Sequence, residues 1–141
     1  EQAAEMEGAM MAEGLVTLPS RHAPKETLDR LATAVTNRGM SIIARVDHAE
    51  AAGKVGMELR PTELLIFGNP RAGTPLMQAA QLMGIDLPLR ALVWQDEVQA
   101  TWLSYVDPAW LANRHGIAAV SEKTVEQMAS VLEAAAEEAT V

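Results

Sequence analysis

Residues 89–106 read LRALVWQDEVQATWLSYV, and this stretch decides how the sheet is built. Its two ends, residues 89–94 and 101–106, are runs of apolar and aromatic residues of strand length. The polar break Gln95-Asp96-Glu97 between them is typical of a hairpin, so these two strands are predicted to pair antiparallel. Because side chains alternate along a strand, Trp102 and Tyr105 are predicted to lie on opposite faces.

Three further strands are predicted upstream, at residues 14–19, 41–46 and 64–67. The last of these is a continuous apolar run, which indicates a central strand covered on both faces. Helical patterns fall between the strands and after the hairpin. This order predicts a sheet with helices packed mainly on one face.

Capping and proline signals predict where the helices begin. Asp47 is predicted to open a short helix through a capping box. Thr74 followed by Pro75 predicts a helix that runs to Met83, with Thr74 as its cap. Ser121 is predicted to cap the last helix.

Length and composition indicate one domain over residues 14–141, preceded by an N-terminal extension over residues 1–13. The net charge of −8 argues against a nucleic-acid partner. No apolar run approaches the roughly 20 residues that cross a bilayer, so no membrane partner is expected. The chain has no cysteine, which excludes thiol chemistry and disulfides. A soluble protein is predicted, either cytoplasmic or periplasmic after removal of a signal.

The loop at residues 68–74 carries the sharpest local signal. It joins a predicted strand to a predicted helix start, where free N–H groups favour anions, and Arg71 adds a positive charge. The spacing Gly-x-x-x-x-Gly-Thr invites comparison with a phosphate loop, but the lysine before Thr74 is missing and Pro70 removes a donor. Two interpretations stay open, a tight turn with a good cap and an anion or carboxylate site.

Two histidines are candidate bases or metal ligands. His48 follows Asp47, and His115 lies near a predicted helix end. Each also fits a local role, His48 through a hydrogen bond at a helix start and His115 through the helix dipole. No His-x-x-x-His or His-x-His spacing is present, so no metal site is predicted.

Several longer motifs occur in order along the chain: VDHA at 46–49, LRPTELLIFGNP at 59–70, GTPLMQ at 73–78, GIDLPL at 84–89, WLSY at 102–105, DP at 107–108 and RHG at 114–116. From residue 14 to the C-terminal helix, this pattern closely resembles the bacterial and archaeal family named domain of unknown function 302. The resemblance implies an α+β fold similar to that of the TATA-box-binding protein, with a curved, mainly antiparallel sheet and helices on one face. It also implies a homodimer, and it assigns neither a cofactor nor an activity.

The positions in these motifs that look functional are His48, Asn69, Gln81, Asp86, Tyr105 and His115. Our leading hypothesis is a domain that binds a small molecule in a pocket between the sheet and the helix at residues 74–83. Its polar groups would be His48, Asn69, Gln81 and Tyr105, with apolar walls formed by Met77, Leu82 and the aromatic residues.

Two alternatives stay open. One is a hydrolase- or isomerase-like enzyme with His48 or Asp86 as general base and Tyr105 as donor. The other is a homodimeric interaction module that acts through an exposed apolar patch.

Overall fold

The computed structural model describes residues 12–141, so most of the predicted N-terminal extension lies outside the described residues. Strands and helices follow each other in the predicted order, with one additional 3-10 helix. The strands are β1 (Leu15–Ser20), β2 (Ser41–Asp47), β3 (Thr62–Gly68), β4 (Leu89–Gln95) and β5 (Thr101–Val106). The helices are α1 (Pro24–Thr36), α2 (His48–Lys54), α3 (Pro70–Ala79), α4 (Pro108–Arg114) and α5 (Glu122–Thr140), with the 3-10 helix at Gln81–Ile85.

The five strands form one antiparallel sheet in the order β1-β5-β4-β3-β2. The predicted hairpin is confirmed, since β4 pairs with β5 and Trp94 lies opposite Trp102. The two indole rings stack with their centroids 6.1 Å apart. The turn between them is held by Asp96, which is 1% exposed and accepts a hydrogen bond from Trp102 Nε1 at 2.9 Å.

The main core lies between one face of the sheet and the helices α1 and α5, which pack against each other. Tyr105 faces this core from β5, on the side opposite Trp102, as alternation along the strand predicted. The antiparallel α+β prediction is confirmed. A second, smaller core joins α3, the 3-10 helix, α4 and the start of α5 at one end of the sheet. Its buried side chains are Leu76, Met83, Leu111, Ala112, Ile117, Val125 and Met128.

The prediction that strand 64–67 is covered on both faces is wrong. Leu65 and Phe67 are fully buried against the helices, whereas Leu64 and Ile66 on the opposite face are only half-buried. The continuous apolar run reflects a covered face and a partly covered face, and not two helical layers.

The predicted start of the helix at Thr74 is also wrong. The helix begins five residues earlier, because Asn69 Oδ1 accepts a hydrogen bond from Arg71 N at 3.0 Å and Pro70 occupies the first helical position. Pro75 consequently lies inside α3. The helix also ends before Met83, which belongs to the 3-10 helix.

The last helix begins after Ser121 as predicted, but the serine side chain makes no capping hydrogen bond. By contrast, Asp47 caps α2 as predicted, with Oδ1 accepting from Glu50 N at 2.9 Å. No helix within residues 12–141 has both the length and the hydropathy needed to cross a bilayer.

Candidate functional site

The four polar residues predicted to share one pocket do not come together. His48 follows Asp47, which pairs with Glu63, whereas Asn69 follows Gly68 at the opposite end of the same ladder. A seven-residue strand spans about 20 Å, so these two side chains are far apart. Gln81 is exposed at the start of the 3-10 helix, and its neighbour Leu82 is 78% exposed, which does not fit the apolar wall predicted for it.

Tyr105 is only 7% exposed and belongs to the main core. It lines neither of the two hollows that lie beside Asn69. Burial raises the pKa of its phenol above 10.0, and the carboxylates of Glu133 and Asp107 raise it further. The phenol is therefore neutral at physiological pH. Its place in the core makes it a packing residue and not a donor to a pocket.

Asp86 and His115 are two predicted site residues that do meet. His115 Nε2 donates to Asp86 Oδ2 at 2.6 Å, and Arg114 Nη1 lies 3.0 Å from both carboxylate oxygens. Arg90 Nη2 lies 3.9 Å from Asp86 Oδ1. The cluster ties the end of the 3-10 helix to the C-terminal end of α4. A carboxylate engaged in this way is a structural link, and the predicted general-base set of His48, Asp86 and Tyr105 is not assembled.

A hollow of about 420 Å³ lies between α3 and the adjacent end of the sheet, where β2 begins, β3 ends and β4 begins. We call it the apolar groove. It occupies the place where the small-molecule pocket was predicted, and Met77 forms part of its wall as predicted. Its main side chains are Ile43, Asn69, Thr74, Met77, Leu87, Pro88, Leu89 and Met128.

A bulge in β2 forms part of the edge of this groove. The register between β2 and β3 shifts between Ile42 and Ala44, which leaves Ile43 without a partner on β3. Bulges re-aim side chains, and here Ile43 lines the groove while remaining 60% exposed. An exposed isoleucine beside an open apolar hollow marks a surface that would gain stability from a bound apolar group.

A second hollow, of about 320 Å³, adjoins the groove and shares Asn69, Leu89 and Met128 with it. We call it the arginine hollow, because Arg38 and Arg71 line it. Both of the predicted loop residues, Asn69 and Arg71, are therefore at this site. Among residues 12–141, no aspartate or glutamate lines either hollow.

Arg38, Ile43 and Met128 also line the two hollows, and none of them was predicted to do so from the sequence. Arg38 follows the end of α1 with no motif around it, and Met128 has the helical spacing of an ordinary core residue. The bulge at Ile43 has no signature in the sequence, because the surrounding pattern alternates normally. Only the folded chain brings these three residues to Asn69.

Comparison with known proteins agrees with the observed fold. The family model described as "Domain of unknown function DUF302" matches residues 16–135. A crystal structure of an uncharacterized conserved DUF302 protein from Bacillus stearothermophilus is similar with a TM-score of 0.82. The match covers 91% of this chain and 99% of that chain at 20% identity, a level that shows the fold alone. The predicted family resemblance is confirmed.

Curated relatives are found in Brucella suis and Brucella abortus, where they are named "Fluoride-specific ion channel FluC 1". Both are 48% identical over 115 residues, which is 82% of this chain. That region is 45% of the Brucella suis protein and 43% of the Brucella abortus protein. The chain thus spans less than half the length of these relatives, whose name describes the whole proteins.

Proposed function

Because the chain belongs to the DUF302 family, whose description assigns no activity, we propose from the geometry that it binds a small molecule with an apolar body in the apolar groove. The observation that carries this proposal is the open apolar hollow beside Ile43, at the junction of α3 and the sheet. The hollow lies within the 300–1,000 Å³ that is usual for small-molecule sites.

The wall of the groove suits a flexible or variable apolar ligand. Met77 and Met128 are unbranched, polarizable side chains that adapt to irregular shapes. Gly68 and Gly73 let wall residues pack close to the backbone, since a Cβ at Gly68 would stand 3.3 Å from Pro88 Cβ and one at Gly73 3.6 Å from Leu87 Cδ1. Asn69 is the polar group that both hollows share, and one polar group among apolar walls is the usual way to fix a ligand's orientation.

The test is a calorimetric titration of the chain with 1-hexanol, 1-heptanol and 1-octanol. If the alkyl chain enters the groove, affinity should rise about twofold to fourfold with each added methylene, because each buried methylene contributes up to about 0.8 kcal/mol. Affinity that does not depend on chain length would contradict burial in the groove.

A pair of variants locates the binding. Thr74→Trp adds a large ring at an exposed position that lines the groove, and it should weaken octanol binding at least about tenfold by filling the space. Ala79→Trp adds the same ring at an exposed position at the end of the same helix, away from the residues that line the groove. Equal affinities in the two variants would place octanol elsewhere and refute the proposal.

A further inference from the structure

The arginine hollow indicates what the polar end of the ligand must be, an inference that rests on the proposed function. The full chain has 19 acidic and 11 basic side chains, so an arbitrary surface patch is expected to be acidic. The two adjoining hollows depart from this balance, since the residues within 12–141 that line them include two arginines and no carboxylate, and only Arg38 is paired with an acidic side chain, that of Glu138. Arg71, which has no acidic partner within residues 12–141, places a positive charge beside an apolar groove, an arrangement suited to an anion.

The two guanidinium groups differ in how far they are already engaged. The Arg71 side chain makes no hydrogen bond or ion pair with any residue in 12–141. Arg38 uses Nη1 to donate to Ala34 O at 2.9 Å and to Glu138 Oε2 at 2.6 Å. Within the described part of the chain its Nε and Nη2 have no partner, so both arginines keep donors for a ligand.

Asn69 adds a third donor at the boundary between the hollows. Its Oδ1 is occupied by Arg71 N, so the side chain can offer its Nδ2 hydrogens to a ligand. A carboxylate has two oxygens and accepts several such bonds, often from one guanidinium through two parallel contacts. An alkyl tail attached to it would continue into the apolar groove.

We propose that the natural ligand is an amphipathic carboxylic acid, with its carboxylate in the arginine hollow against Arg71 and its apolar tail in the apolar groove. Arg38 and Asn69 complete the set of donors. The side chain of Arg71 is exposed, so it binds the anion by hydrogen bonding and charge in a partly hydrated setting. The contribution of the charge should therefore fall as salt is added.

The experiment compares three probes of equal chain length, octanoate, 1-octanol and octylammonium, by calorimetry at pH 7.5 and low salt. Octanoate should bind about tenfold more tightly than octanol, since charge-assisted hydrogen bonds exceed neutral ones in strength. Octylammonium should bind more weakly than octanol. Arg71→Ala should remove the advantage of octanoate and leave octanol binding unchanged, and Arg71→Lys should restore part of it.

Arg21→Ala is the matched control, because Arg21 is another exposed arginine and its loss changes the net charge equally. Octanol binding without any advantage for octanoate would overturn the acidic ligand and leave the apolar groove as a binding site. The same conclusion would follow if Arg21→Ala lowered octanoate affinity as much as Arg71→Ala. If neither probe bound, the groove proposal and this inference would both fail.

Discussion

Replacing Asp86 by alanine is expected to destabilise the fold by about 3 kcal/mol, and the burial of its partners sets this figure. The Asp86 and His115 side chains are only 8% and 10% exposed, whereas that of Arg114 is 52% exposed. A buried hydrogen bond to a charged group contributes about 1.5–3 kcal/mol, and its loss leaves the His115 nitrogen without its partner. A half-exposed arginine pair contributes about 0–1 kcal/mol.

The loss of stability should therefore differ between Asp86→Ala and Arg114→Ala. Arg114→Ala should cost less than about 1 kcal/mol, in the range of an exposed ion pair such as Arg45–Asp29, because Asp86 keeps its histidine. Urea unfolding followed by tryptophan fluorescence measures each loss as a shift in midpoint at constant slope. If Asp86→Ala and Arg114→Ala differed by less than about 1 kcal/mol, the assignment of the stability to the buried histidine contact would be refuted.

Three further predictions concern other parts of the fold. Asp96→Ala should lower the free energy of unfolding in urea by at least about 2 kcal/mol, because the buried carboxylate accepts hydrogen bonds from two turn amides and from Trp102. A smaller loss would show that the turn is stable without this carboxylate. Tyr105→Phe should flatten the decline in Tm above pH 10. Because the pKa of the Tyr105 phenol is raised in the folded state, the phenol ionises first in the unfolded chain, and stability falls as pH rises through the folded pKa. An unchanged alkaline profile would contradict this. Gly14→Ala should cost about 1–3 kcal/mol more than Gly39→Ala, because both glycines have positive φ but only at Gly14 would a Cβ stand 2.5 Å from an indole carbon. Equal midpoints for the two variants would show that the indole moves aside.

Much of the fold could be predicted from the sequence because local signals agreed with the final packing. The hairpin around Asp96 combines two strand-like runs with a polar break, and both properties persist in the structure. The start of α3 could not be predicted as well, because two cap-and-proline signals stand five residues apart, one at Asn69 and one at Thr74. The chain uses the first, in agreement with the stronger preference for asparagine than for threonine at the N-cap.

The site was predicted only in part, for a physical reason. A hollow between α3 and the sheet, with Asn69 and Met77 in its lining, agrees with the strand-to-helix junction in the sequence. The assignment of His48, Gln81 and Tyr105 to the same pocket required knowing which ends of which strands are neighbours, and the sequence does not contain that directly. Arg38 reaches the site from α1 across the sheet's end, so its contribution appears only after folding. The homodimer implied by the family resemblance stays a prediction.

The most direct test of ligand binding in the groove uses the methyl groups of the chain's eight methionines as NMR probes. Met77 and Met128 line the apolar groove, whereas Met57 is 66% exposed and lies outside it. On titration with 1-octanol, we expect the Met77 and Met128 methyl signals to shift to a common saturation point while the Met57 signal stays in place. Shifts confined to Met57, or no saturable shift at Met77 and Met128, would contradict binding in the groove.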